Sequence, residues 1–275
     1  MKFAICQELY ENWDWEKQCR FSAELGYTGL EVAPFTLAPR VTDVPVDTLR
    51  RMRETAARHG VEVIGLHWLL AKTTGLHLTT ADEATRRATS EYLAALARAC
   101  AELGGTILVL GSPMQRNLDA STTREQGMER AAEVLRGAAP TFNECGVTLC
   151  VEPLTPAETN FLTSCADGME LVERVGDRSV ALHQDVKAML SESAPVADVI
   201  REFAGKIGHF HVNDGNLLGP GMGPTDYHPI LRALRATGYD GWVSVEVFDY
   251  KPGAEHIARA SIEYLRAVLA DLDAE

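Results

Sequence analysis

Glu246 lies in "GWVSVEVFDY" (Gly241–Tyr250), a run whose valines and aromatics otherwise read as a buried strand. An ionised carboxylate is rarely buried unless something pairs with it. Three more side chains of ligating type close short apolar runs in the same way: Glu152 in "LCVEP", Asp185 in "LHQDV" and His211 in "HFHVND". Taken singly, each has a plainer reading as a salt-bridge partner, a helix cap or a core histidine. Together they recur at intervals of about one strand–helix unit. Three carboxylates and an imidazole gathered in a semi-buried mouth repel and desolvate one another unless a cation sits among them. An oxygen-rich set with one histidine suits one divalent ion, Mn2+ first, with Mg2+, Co2+ or Zn2+ as alternatives. Such an ion can hold a carbonyl oxygen and its neighbouring hydroxyl and stabilise an enediolate. Glu152 and Glu246 would come from the two flanks of the set, placed to act as base and acid on opposite faces of a substrate.

Those four residues need strands to carry them. The strand candidates are Lys2–Cys6, Gly29–Ala33, Val61–His67, Thr106–Gly111, Val147–Glu152, Val180–Asp185, Ile207–Val212 and Trp242–Phe248. Amphipathic segments lie between them, clearest at Ala81–Leu103, Thr122–Cys145 and Glu255–Leu272. Five strands follow a helix-ending glycine, as in "ELGGTILV" and "ECGVTLC". Strict alternation implies parallel strands joined by right-handed crossovers. Eight such units predict one (β/α)8 TIM barrel spanning residues 1–275 as a single domain. An open doubly wound sheet is the competitor, and no GxGxxG follows the first strand. In a barrel of this kind the site sits at the C-terminal strand ends, where all four residues fall. Residues two apart share a strand face, so Glu246 faces inward with Ser244 while Val243, Val245 and Val247 face the helices.

Composition narrows the function. The 275 residues are 46% hydrophobic and carry a formal charge of −13. An acidic chain without a basic face disfavours nucleic acid. No run of eighteen apolar residues predicts a membrane span, and the N-terminus does not read as a signal peptide. The six cysteines are scattered without a CxxC, which fits reduced, structural cysteines and a cytoplasmic protein.

The segments "CVEP", "HQD", "GHFHVNDGN", "GPGMG" and "GYDGWVSVEVF", in this order, resemble the sugar isomerase/epimerase superfamily of xylose isomerase-like barrels. Within it the nearest types are the ketose 3-epimerases and hydroxypyruvate isomerase. The resemblance implies that Glu152, Asp185, His211 and Glu246 bind one divalent metal. It implies that Glu152 and Glu246 are catalytic, and that Glu158 contacts substrate hydroxyls. It implies a small sugar or keto-acid substrate and a homo-oligomer. Two departures bear on the substrate. Where the ketose 3-epimerases have a histidine three residues after the metal aspartate, this chain has Ala188, with Lys187 just before it. Where they have an arginine that grips the carbonyl end, it has Leu217.

Five further residues join Glu158 as substrate-binding candidates: His67 and Trp68 at the third strand's end, Arg116 after the fourth, and His183 and Lys187 beside Asp185. Each has a competing structural reading, and for Arg116 a solvated side chain is the simpler one. The Gly/Pro-rich segment Asn213–Pro229 reads as a lid. It lacks Lys and Arg, so an unphosphorylated substrate is expected. The expected activity is therefore a divalent-metal isomerase or epimerase of a small unphosphorylated sugar or keto-hydroxy compound. The alternatives are an inosose-type dehydratase, an endonuclease IV-like nuclease, disfavoured by the acidic charge and Ala188, and a non-catalytic binding barrel.

Overall fold

The computed structural model describes residues 1–275. Eight parallel strands close into a barrel, each hydrogen-bonded to its sequence neighbours, and β8 returns to β1. They are β1 (Lys2–Cys6), β2 (Gly29–Val32), β3 (Glu62–Leu66), β4 (Ile107–Leu110), β5 (Thr148–Val151), β6 (Val180–Asp185), β7 (Ile207–Val212) and β8 (Trp242–Val245). Around them run α1 (Trp15–Leu25), α2 (Val46–Arg58), α3 (Glu83–Leu103), α4 (Arg124–Cys145), α5 (Cys165–Val175), α6 (Val186–Met189), α7 (Val196–Glu202), α8 (Tyr227–Ala236) and α9 (Ala254–Ala274).

The expected barrel is therefore present, with one helix more than eight. The addition, α6, is a single turn, and Asp185 starts it by accepting the Ala188 N–H at 2.8 Å. β8 ends earlier than expected, at Val245, so Glu246 stands just beyond the ladder. The five helix-ending glycines all have positive φ, between 64° and 88°, the left-handed conformation that a Cβ disfavours.

Apolar side chains divide into two bodies. The larger, of 67 buried residues, fills the layer between barrel and helices and includes Val243, Val245 and Val247. The smaller is a plug inside the barrel made by Ala4, Ile64, Ile107, Val109, Cys150 and Trp242. One inward step higher along the strands the interior turns polar. Cys6, Glu31, His183, His209, His211 and Ser244 are all buried there.

Two irregularities set which side chains enter. Between β2 and β3 the register slips at Leu30/Glu31, so that Glu31 pairs with Gly65 rather than Ile64. That extra residue reverses the alternation on β3 and turns His67 inward. Between β6 and β7 the slip at Leu182/His183 leaves Gly208 unpaired. A Cβ on Gly208 would strike Ala181 and Cys150, so only glycine fits at this bulge. Beyond it, His183 pairs with His209 and Asp185 with His211.

Candidate metal centre and active site

The barrel mouth is built around the His211 ring. Its Nδ1 lies 3.1 Å from Glu246 Oε2 and 4.0 Å from Glu152 Oε1. Glu152, His183, Asp185 and His211 each offer one donor atom, all within 4.8 Å of one another. Glu246 stands beside this group with its second oxygen, Oε1, turned to His67 Nδ1 at 3.2 Å. The four residues singled out at the strand ends are thus adjacent, and His183, a substrate-binding candidate from the sequence, also offers a nitrogen to the group. Both His183 nitrogens are buried without a partner. Burial, then the neighbouring His211 and His209, push its pKa well down, so it is a neutral imidazole with a free lone pair.

The carboxyl groups are under opposing pressures. Burial pushes Glu152 well above the ordinary carboxylate range, and the charges of Glu246 and Asp185 push it the same way. Asp185 is raised mainly by burial, against the pull of Lys187. Its oxygens accept from the Ala188 N–H and from Asn213 Nδ2, the latter at 2.5 Å. Burial would raise Glu246 as well, but His211 and His67 hold it below its ordinary value. Gly111 passes so close to the Glu152 carboxylate that a Cβ there would occupy its place.

Beneath the mouth runs a layer that the sequence reading did not assemble. Glu31 is wholly buried, and its Oε2 accepts from His209 Nε2 at 2.9 Å and His211 Nε2 at 3.1 Å. Holding the Nε2–H of His211 points Nδ1 at the carboxylates. Likewise Glu8 Oε2 receives the Nε2–H of His67 at 2.8 Å, completing a chain from Glu8 through His67 to Glu246. Glu8, Glu31 and His209 are not among the residues the sequence singles out; the doubled histidine of "HFHV" is the one local signal, and it marks His209 only.

The other candidates scatter around this core. Glu152, Glu246, Glu158, Trp68, Ser112 and Phe248 line a small cavity of about 30 Å3 over the carboxylates, roughly the room of one water. Glu158 pairs with Lys187 Nζ at 2.7 Å, and that ammonium lies 3.9 Å from the Phe248 ring. Burial pushes Glu158 up, but Lys187 pulls it below its ordinary value. His67, His183, Lys187 and Arg116 do not line the cavity. Arg116 corrects the expectation of a solvated side chain. It is 1% exposed and donates from Nη1 to the Glu152 carbonyl at 2.6 Å. Burial lowers its pKa to about 10, which leaves a positive charge behind Glu152 at neutral pH.

The Asn213–Pro229 segment is also corrected, because it does not roof the cavity. Asp214 ties it together through the Thr225 N–H at 3.0 Å and the Leu218 carbonyl at 2.8 Å. Gly219 and Gly221 press it onto Ser261 and Tyr264 of α9. Leu217, at 43% exposure, makes no polar grip, although its carbonyl anchors the backbone after Glu246 through Phe248 N at 2.9 Å.

A family model described as xylose isomerase-like TIM barrel matches residues 19–268. D-psicose 3-epimerase of Agrobacterium fabrum is 27% identical over 249 residues, 87% of this chain and 83% of that protein. L-ribulose 3-epimerase of Mesorhizobium japonicum is 33% identical over 186 residues, 66% of this chain and 61% of that protein. A crystal structure of D-psicose 3-epimerase in the presence of D-fructose superposes with a TM-score of 0.86 at 25% identity, covering 98% of this chain and 99% of that one.

Proposed function

The chain belongs to the xylose isomerase-like TIM barrel family, and on that premise we propose that it is a divalent-metal-dependent epimerase or isomerase of a small unphosphorylated sugar or keto-hydroxy compound. It is an enzyme of the isomerase class, as its sugar-epimerase relatives indicate. The observation that carries the reading is the approach of both Glu152 and Glu246 to His211 Nδ1, at 4.0 and 3.1 Å, with Asp185 and His183 in the same buried group as Glu152 and His211.

The donor set fits a divalent cation. Without positive charge among them, Glu152, Asp185 and Glu246 crowd one another in a site that also holds an unpartnered neutral histidine. Glu152, Asp185, His211 and Glu246 would hold the ion, with His183 within reach of the same space. When bound, the cation supplies Lewis-acid stabilisation of an enediolate. The remaining work belongs to the side chains. Glu31 keeps His211 oriented. One of Glu152 and Glu246 takes a proton from the substrate carbon and the other returns one on the opposite face, their roles exchanging in the reverse direction. Glu158, held by Lys187, and Trp68 line the space where substrate hydroxyls would lie.

The test is solvent exchange. The Mn2+-loaded protein in D2O should place deuterium on carbon in one or more of a panel of ketoses and keto-acids, with substrate mass otherwise conserved. Glu152→Gln or Glu246→Gln should slow that exchange by about 10²- to 10⁴-fold. A wild-type protein that exchanges no member of the panel, or a product lighter by one water, contradicts the reading.

A further inference from the structure

A second and larger space adjoins the small cavity. This cleft of about 650 Å3 lies among the segments that follow β1, β2, β3 and β4. It meets the small cavity at Trp68 and Pro113, which line both. Three residues that line it carry a buried polar atom without a partner: Glu8 Oε1, Gln18 Oε1 and Trp68 Nε1. Glu8 and Gln18 are 6% and 5% exposed, and each already uses its other polar atom, Glu8 on His67 and Gln18 on the Trp13 carbonyl. Unsatisfied buried donors and acceptors destabilise a fold unless something occupies them. Trp68 is further marked by its backbone. Its φ of 53° lies in the left-handed region, where a bulky side chain is strained, and it sets the indole between the two spaces.

The volume of this cleft admits a sugar unit. If each CHOH unit takes about one water's share, ~30 Å3, a six-carbon ring fills roughly a quarter to a third of it, so the cleft has room for a second ring beside a ketose held at the carboxylates. The wall chemistry is that of hydroxyl recognition, with Gln7, Asn12, Thr36 and Gln115 beside the aromatic side chains of Phe35, Trp68 and Tyr250. The charged residues on the lining are Glu8, Glu11 and Lys72, and the ammonium of Lys72 lies 4.0 Å from the Phe35 ring. With two acids and no arginine, the lining is ill suited to a phosphate or carboxylate. We propose that the substrate is a ketose bearing a second sugar residue, with its reacting carbons over Glu152 and Glu246 and its second ring in the cleft beside Trp68. The proposal rests on the epimerase reading above and extends it to disaccharide-sized substrates.

The experiment compares kcat/KM for deuterium incorporation with fructose and tagatose against 6-O-glucosylfructose and 4-O-galactosylfructose, using the Mn2+-loaded full chain. The glycosylated ketoses should be at least tenfold better. Ala71→Trp, which fills the cleft from a small residue on its wall, should remove that advantage and leave free ketoses within about threefold. Gln18→Met, which removes a polar group from the lining together with its bond to the Trp13 carbonyl at similar volume, should lower only the glycosylated rates. Unchanged melting temperatures verify that both variants fold. Equal or faster turnover of the free ketoses by the wild type overturns the proposal but not the epimerase reading. A parallel loss on both substrate sizes in Ala71→Trp also overturns it. Faster turnover of an amine-substituted ketose gives the cleft to a cation instead. If no ketose of either size exchanges deuterium, the epimerase reading itself has failed.

Discussion

Glu31 makes the least conspicuous and most consequential contact in the mouth. One buried oxygen receives N–H groups from both His209 and His211. Burial alone would raise its pKa, yet the two imidazoles hold it well below its ordinary value, so it stays charged. A carboxylate behind a ligating imidazole fixes its tautomer and strengthens the nitrogen that faces the metal. Glu31→Gln keeps the shape and removes the charge, and its amide nitrogen would face an imidazole N–H with a donor. Calorimetric titration of the chelator-stripped variant with Mn2+ should show affinity weakened about 10- to 100-fold. An unchanged affinity would mean that His211 needs no such support. Arg116 supports Glu152 instead, donating from Nη1 to its carbonyl and lying as a buried charge beside it.

The helices are capped and tied to their neighbours, and α5 shows how. Ser164 caps it by accepting the Asp167 N–H at 3.1 Å, and Asp167 accepts the Thr163 N–H at 3.0 Å and pairs with Arg124 of α4 at 2.6 Å. Burial raises the Asp167 carboxyl, but Arg124 and the Thr163 N–H pull it below its ordinary 3.8. A depressed carboxyl contributes stability above its unfolded pKa and loses it as pH falls through the folded value. Asp167→Asn should therefore cost about 1 kcal/mol at pH 7, discounted because Arg124 is half-exposed. In urea melts that difference should shrink below pH 3.8 and vanish in stronger acid. A gap that persists there would point to packing instead. Strand and helix positions of this kind were legible because apolar periodicity and glycine stops are local signals. The two bulges were not. Simple alternation along β3 puts Ile64 and Leu66 on one face, and only the slip against β2 turns His67 inward. Glu8 lies past the end of β1, where no pattern marks it. α6 went unseen because its cap, Asp185, already had a reading as a ligand.

An acid-lined mouth inside a chain of net charge −13 is a built-in liability of the folded protein, and a cation that relieved it would bind the native state only. Native-state binding stabilises by about 2.7 kcal/mol at a hundredfold excess over Kd. For a chain of this size that is roughly 5–10 °C in melting temperature. Chelator-stripped protein given Mn2+ should show a rise of that order by calorimetry. Surface acids also attract divalent ions, so salt is the discriminator. Exposed charges are screened beyond about 8 Å at 0.15 M ionic strength, whereas a group as buried as Glu152, at 5% exposure, is screened much less. The rise should survive 0.15 M NaCl in the wild type and fall to near nothing in Glu152→Gln. Should the variant respond as fully as the wild type, or should salt erase the effect in both, the ion belongs to the surface and the mouth does not bind it.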